Sequence, residues 1–183
     1  MMAKSLFVSL LLGVLLAPIF AEESMSVMKK GKDGKESHHT LLIDEAKGLA
    51  IEHVGEGRKS VTLVIDYKTG VIAYRMFDSQ SCVLVRMNKA TFPSLDKLKQ
   101  ILQEQKSGKQ SAPAPPRQYT VTPAHIKDLS GLGAPVNTLC RDLTVNWAQE
   151  QIGNMLYGDA GACLNINLLF LIDVNLCGHI GVW

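Results

Sequence analysis

Four cysteines, Cys82, Cys140, Cys163 and Cys177, stand downstream of an apolar leader, and this combination constrains the fold more than any other feature of the chain. Within residues 1–21 the only charge is Lys4, Leu6 to Phe20 is almost wholly apolar, and Ala17-Pro18-Ile19-Phe20-Ala21 ends the run on a small residue. That is the layout of a secretory signal peptide cleaved after Ala21. The apolar run is about 15 residues, short of the ~20 a membrane span needs. Leu168–Ile172 is shorter still, so no stable membrane anchor is expected. Secretion makes disulfides the default fate of an even set of cysteines, two bonds in this case. Four cysteines admit three pairings, and spacing does not choose among them. No CxxC or other zinc-type pair occurs, so neither a metal nor another cofactor is expected.

The last two cysteines bracket a strand pattern. Leu164, Ile166, Leu168, Phe170, Ile172, Val174 and Leu176 occupy the even positions; Asn165, Asn167, Leu169, Leu171, Asp173 and Asn175 occupy the odd ones. Such alternation is the signature of a half-buried strand. Fully extended, the segment would hold its ends roughly 45 Å apart at about 3.3 Å per residue. A disulfide needs Cα atoms about 5.5–6 Å apart. A single straight strand and a Cys163–Cys177 bond therefore exclude each other; if the two pair, the chain folds back near Leu168–Leu171.

Composition and motifs exclude several functions. The 183 residues are 46% hydrophobic, enough for a real core, and carry a net charge of +2. Without Lys4 the 19 basic residues become 18 against 17 acidic ones, a net +1. A nearly neutral chain without a basic stripe has no electrostatic reason to bind nucleic acid. No GxSxG elbow, P-loop, GxGxxG or HExxH is present, so the chain is not read as an enzyme and no catalytic residue is assigned. His38 and His39 fall in a polar stretch, and neighbours on an extended chain point to opposite sides, a poor chelate; they read as solvent-exposed histidines.

Residues 22–39 read as a flexible N-terminal arm, with Lys29-Lys30 a candidate dibasic processing site. From Thr40 short runs of Val, Ile, Leu and Tyr alternate with turn residues: Leu41–Asp44, Leu49–Val54, Val61–Asp66, Val71–Phe77 and Cys82–Met87. They predict an antiparallel meander, with Gly70 placed to take φ > 0 in the turn before Val71. Phe92, Leu95, Leu98, Ile101 and Leu102 then recur at helical spacing, with Thr91 as N-cap and Pro93 in the first turn. Residues 107–118, with Pro113, Pro115 and Pro116, read as a linker. A second helical stretch is expected from about Pro123 to Leu129, and a short helix from Pro135 carrying Leu139 and Cys140. Leu143–Gln151 is ambiguous between strand and helix, and Gly158-Asp159-Ala160-Gly161 reads as a turn.

This order of elements resembles the BRICHOS family. The residues carrying the resemblance are Ile65-Asp66-Tyr67 with Gly70, Ile72-Ala73-Tyr74, Cys82, Met87 with Pro93-Ser94-Leu95, and Val136-Asn137-Thr138-Leu139-Cys140. It spans about residues 40–146. Within the family the gastrokines fit best, having a cleaved leader and an apolar C-terminal segment between two cysteines, as in Cys163 to Cys177. The resemblance implies an α+β fold: an antiparallel sheet flanked by two helices, with a disulfide-bearing, β-prone segment over 147–183. It also implies that Cys82 pairs with Cys140, leaving Cys163 and Cys177 to each other. No cysteine remains for a covalent partner of the kind some gastrokines take.

The resemblance also suggests function. Asp66 matches the family's recurrent aspartate, which implies a structural or pH-sensing role; from the residues alone it reads as a turn-capping aspartate. Leu168-Leu169-Phe170-Leu171-Ile172 combines high hydrophobicity with no charge and no proline, the mark of an aggregation hazard or of a plain core strand. The family implies that the sheet shields such segments, its own included, and other β-prone or amyloidogenic polypeptides. Val61, Leu63, Ile65, Val71, Ala73 and Leu84 are the expected client-binding surface, and equally could be core. The expected function is that of a secreted, extracellular, granule-routed chaperone with anti-amyloid capacity. It would serve gastric mucosal protection and epithelial homeostasis, with mucosal proteins as further partners. The alternatives are a precursor releasing a membrane-active C-terminal hairpin and a structural component of mucus. Residues 163–183 hold no Lys or Arg, which argues against the first.

Overall fold

In a computed structural model the described residues are 22–30, 36–109, 114–151, 163–168 and 172–178. The expected leader, the turn at Gly158–Gly161, the Leu169–Leu171 fold-back and His179 lie outside them. Among the described residues ten strands form one sheet. They are β1 (Glu22–Lys30), β2 (Glu36–Asp44), β3 (Leu49–Val54), β4 (Val61–Asp66), β5 (Val71–Met76), β6 (Ser81–Arg86), β7 (Ala114–His125), β8 (Thr144–Glu150), β9 (Cys163–Leu168) and β10 (Ile172–Cys177). Two helices accompany them, α1 (Leu95–Lys106) and α2 (Ala134–Cys140).

The strand order is β1-β2-β3-β4-β5-β6-β8-β7-β10-β9. Strands β2 to β6 are the antiparallel meander read from alternation, with Gly70 at φ 69° in its expected turn, and β1 adds a further antiparallel strand beside β2. Beyond β6 the sheet is mixed rather than antiparallel throughout: β8 runs parallel to β6, and β10 runs parallel to β7. Both parallel pairs join strands distant in sequence, so no hairpin turn betrays them.

Alternation also decides the two faces. Ile43, Ala50, Leu63, Ile65, Ile72, Tyr74, Val83 and Val85 share an inner face, on which the sheet curls around Leu98, Ile101 and Leu102 of α1. Val71, Ala73, Cys82, Leu84 and Val145 share the outer face, where Val136 and Cys140 of α2 pack.

Four local readings change. Within the expected arm, the described residues 22–30 and 36–39 are strand, β1 pairing antiparallel with β2. The polar composition hid an alternation that continues the inner-face positions Leu41 and Ile43. Helix α1 is capped by Ser94, whose hydroxyl accepts from Lys97 N at 3.2 Å, rather than by Thr91. Thr91 and Phe92 donate their amides to Asn88 O in a turn, so helical geometry begins only after Pro93. The expected helix at Pro123–Leu129 is the end of β7 and a loop. Asn146 Nδ2 donates to Thr122 O at 2.8 Å and Ile126 N to Val145 O at 2.8 Å, and this pairing with β8 overrides local preference. Residues 114–118 of the expected linker are likewise strand.

Candidate functional site

The apolar even positions of the C-terminal segment determine where it goes. Ile166, Leu168, Ile172, Val174 and Leu176 are all buried in the inner-face core with Tyr119, Val121 and Ala148. Leu168 lies opposite Ile172 and Cys163 opposite Cys177, so the segment is the folded-back hairpin β9–β10. The Cys163–Cys177 disulfide closes it, with Cα atoms 4.1 Å apart. The polar odd positions pair on the opposite face: Asn165 Nδ2 donates to Asn175 Oδ1 and Asn167 Nδ2 to Asp173 Oδ1, each at 2.6 Å. β10 is hydrogen-bonded along β7. The hairpin thus occupies a sheet edge and part of an apolar face at once.

Helix α1 lies over the same face and is held by side chains. Arg117, in register with Val174, donates from one nitrogen to Glu150 Oε1 at 2.6 Å and Thr91 Oγ1 at 2.8 Å. Its second nitrogen donates to Thr91 O at 2.7 Å. The Tyr67 hydroxyl donates to Pro93 O at 2.9 Å, its ring beside Phe92. Lys99 pairs with Glu45. Burial pushes the phenols of Tyr67, Tyr74 and Tyr119 up from their ordinary range. For Tyr74 the neighbouring Tyr119 and the charge of Glu52 add to burial, while Arg117 opposes it. These hydroxyls remain neutral under physiological conditions.

Further along the inner face, His39 Nδ1 lies 3.1 Å from Glu52 Oε1; the histidine is 3% exposed and the glutamate 0%. The expectation of a solvent-exposed His39 fails because His39 shares strand parity with Leu41 and Ile43. His38, one residue away, faces the other side and bonds Ser26 Oγ at 2.7 Å. Glu52 and Arg117 were not singled out from sequence. The parity of Glu52 with Ala50 and Val54 is the signal that locates it. Among the described residues no cluster of three His, Cys, Asp or Glu could hold a metal ion.

The six residues expected to line a client surface do not form one. Val61, Leu63 and Ile65 belong to the inner core and Val71, Ala73 and Leu84 to the outer one, all six buried. Leu63 pairs with Tyr74 and Val64 with Ala73, so the two trios differ in parity and point to opposite faces. The outer trio lies under α2, which the Cys82–Cys140 disulfide fastens to β6 with Cα atoms 5.5 Å apart. Asp66 sits beneath the start of α2. Its Oδ1 accepts from Lys68 N at 2.8 Å and Thr69 N at 3.0 Å, the geometry of a turn cap. Gly133, at φ 85°, passes so close that a Cβ there would lie 3.2 Å from Asp66 Oδ2 and from Thr69 Cγ2.

The BRICHOS domain family matches residues 57–147. Gastrokine-3 of Mus musculus is 33% identical over 94% of this chain and 90% of its own length. Gastrokine-1 of Sus scrofa is 30% identical over 93% of this chain and 94% of its own. Gastrokine-1 of Homo sapiens is 29% identical over 92% of each. No solved structure matches the chain.

Proposed function

The chain belongs to the gastrokine family of BRICHOS-domain proteins, and from that premise we propose that it is a secreted extracellular chaperone that holds β-prone, amyloid-forming polypeptides at a mucosal surface. One observation carries this reading. The chain's own aggregation-prone segment, β9–β10, is added to the β7 edge by backbone pairing, with alternate apolar side chains buried on the inner face. An extended client would be recognised in the same way: main-chain hydrogen bonds give affinity without regard to sequence, and the apolar face selects hydrophobic alternation. Helix α1 covers that face through noncovalent contacts alone, so it and the hairpin are the elements that must shift for a client to enter. Mucosal protection and epithelial homeostasis are the setting the family membership suggests.

The test adds the protein, secreted from an oxidising host, below stoichiometry to an amyloid-forming peptide while fibril growth is followed. A lengthened lag, abolished by reduction, is expected. The double variant Cys163→Ser/Cys177→Ser should lengthen the lag further, because an unclipped hairpin leaves the β7 edge more often. No effect from folded, disulfide-bonded protein overturns the proposal. Release of the hairpin as a membrane-active peptide is not favoured, since residues 163–183 hold no Lys or Arg.

A further inference from the structure

The sheet has two ends, and β1 forms one of them. Its sequence, Glu22-Glu23-Ser24-Met25-Ser26-Val27-Met28-Lys29-Lys30, places two acids at one end and two bases at the other. From this strand we infer that a second copy of the chain docks antiparallel along β1, about a two-fold axis through Ser26.

Backbone geometry supports the register. Gly55 N donates to His38 O at 2.9 Å, so the backbone groups of His38 point toward β3. Groups alternate along a strand, so those of His39, Leu41 and Ile43 point toward β1. Their β1 partners are Val27, Met25 and Glu23. The N–H and C=O groups of positions 22, 24, 26, 28 and 30 therefore point away from β2, and among the described residues no strand receives them. An antiparallel ladder centred on Ser26 sets 22 against 30, 24 against 28 and 26 against 26, each an outward-pointing position meeting another. All nine residues of both copies are used. Shifting the register by two residues keeps this parity but shortens the ladder and breaks the end-to-end charge match.

Charge selects the same arrangement. In it, acidic positions 22 and 23 of each copy oppose basic positions 30 and 29 of the other. A parallel pairing would set acid against acid and base against base, which is unfavourable across a ladder. The two central positions known to be exposed, Ser24 and Ser26, are small and place no bulk in the way. Charged ends otherwise serve to keep sheet edges apart. Here their two-fold self-complementarity makes the edge selective for its own copy and yields a closed, isologous dimer rather than an open fibre.

Sedimentation equilibrium of the full secreted protein tests this, at low and at high salt. A monomer–dimer equilibrium is expected, weakening by about tenfold or more as salt screens the end charges. Ser26→Pro removes an outward N–H without touching the β1–β2 backbone ladder and should leave only monomer, with thermal stability lowered by no more than loss of the exposed Ser26–His38 side-chain hydrogen bond accounts for. The decisive arm uses two charge variants. Glu22→Lys/Glu23→Lys and Lys29→Glu/Lys30→Glu should each be monomeric alone and should form a one-to-one heterodimer when mixed. That readout does not respond to a merely structural role for β1. A monomeric wild type, a dimer indifferent to Ser26→Pro, or species that grow without limit with concentration would each overturn the inference; the last would indicate head-to-tail pairing of β1 with β9.

Discussion

Both faces of the sheet carry a helix, but they are held in different ways. On the outer face α2 is bonded covalently to β6 through Cys82 and Cys140, both 1% exposed or less, in a small core with Val71, Ala73, Leu84 and Val136. On the inner face α1 rests on Leu98, Ile101 and Leu102 and is secured by hydrogen bonds and an ion pair. The second disulfide, Cys163–Cys177, stands at odd positions of the β9–β10 hairpin, away from the inner face, and bonds that hairpin only to itself. The outer face is therefore locked, whereas every cover on the inner face is reversible. A protein that must keep its framework while opening an apolar surface needs that asymmetry.

The sharpest way to break the contrast is to cut the outer bond. Cys82 and Cys140 are 58 residues apart in sequence. Closing a loop of that length stabilises the fold by about 4 kcal/mol in the chain-entropy account. Cys82→Ala/Cys140→Ala should lower the guanidinium midpoint by that equivalent and sharply reduce the secreted yield. The hairpin bond closes only 14 residues, for which the same account gives about 3 kcal/mol. Here the effect should be local. Hydrogen exchange of β9 and β10 amides should accelerate in Cys163→Ala/Cys177→Ala, while α2 and β4–β6 keep their protection. Equal acceleration across both faces would erase the distinction drawn between them.

The asymmetry was partly visible in the sequence. The meander from β2 to β6 and the buried even positions of the hairpin follow directly from two-residue alternation. β7 did not, because Pro115, Pro116 and Pro123 read as breakers. They are tolerated where the ladder is already interrupted: the register shifts between Ala114 and Arg117 against β10, and between Val121 and His125 against β8. The parallel pairs β6–β8 and β7–β10 depend on which distant strands meet, and local periodicity holds no record of that. His39 and Glu52 were legible in parity but masked by their polarity. Each sits at an inner-face position where an apolar residue would be expected, and each is accepted because the other is there.

The fastening of α1 gives the next prediction. Arg117 is 12% exposed and ties Thr91, ahead of the helix, to Glu150 on β8. Hydrogen bonds involving a charged group are worth about 1.5–3 kcal/mol each when broken within a fold. Glu150 remains 26% exposed and can be rehydrated. Arg117→Met, which keeps the aliphatic stem, should therefore cost about 2 kcal/mol. Exchange should rise first in the α1 amides, and binding of an apolar-surface dye should increase without loss of α2 protection. A uniform loss across both helices would mean that Arg117 supports the whole fold rather than the inner cover.

The smallest effect concerns the tyrosines, and it separates the faces by pH. Tyr67, Tyr74 and Tyr119 all belong to the inner core or pack against it, and burial raises each phenol above its ordinary value. A raised folded-state pKa means the fold prefers the protonated phenol. The corresponding stability is fully present below the unfolded value of about 10 and is lost as pH climbs above it. In an alkaline titration followed by phenolate absorbance, these three should ionise only as inner-face structure is lost. Exchange protection on α1 and β10 should fall before that on α2, whose outer core holds no tyrosine among the described residues. Tyr67→Phe removes the donor to Pro93 O and should cost about 1 kcal/mol at neutral pH. It should also remove one phenol from the cooperative alkaline step. Ionisation of all three at ordinary pH, with both helices still protected, would show that the inner face already admits water. The contrast between a locked and a reversible side would then rest on solvent access rather than on covalent fastening.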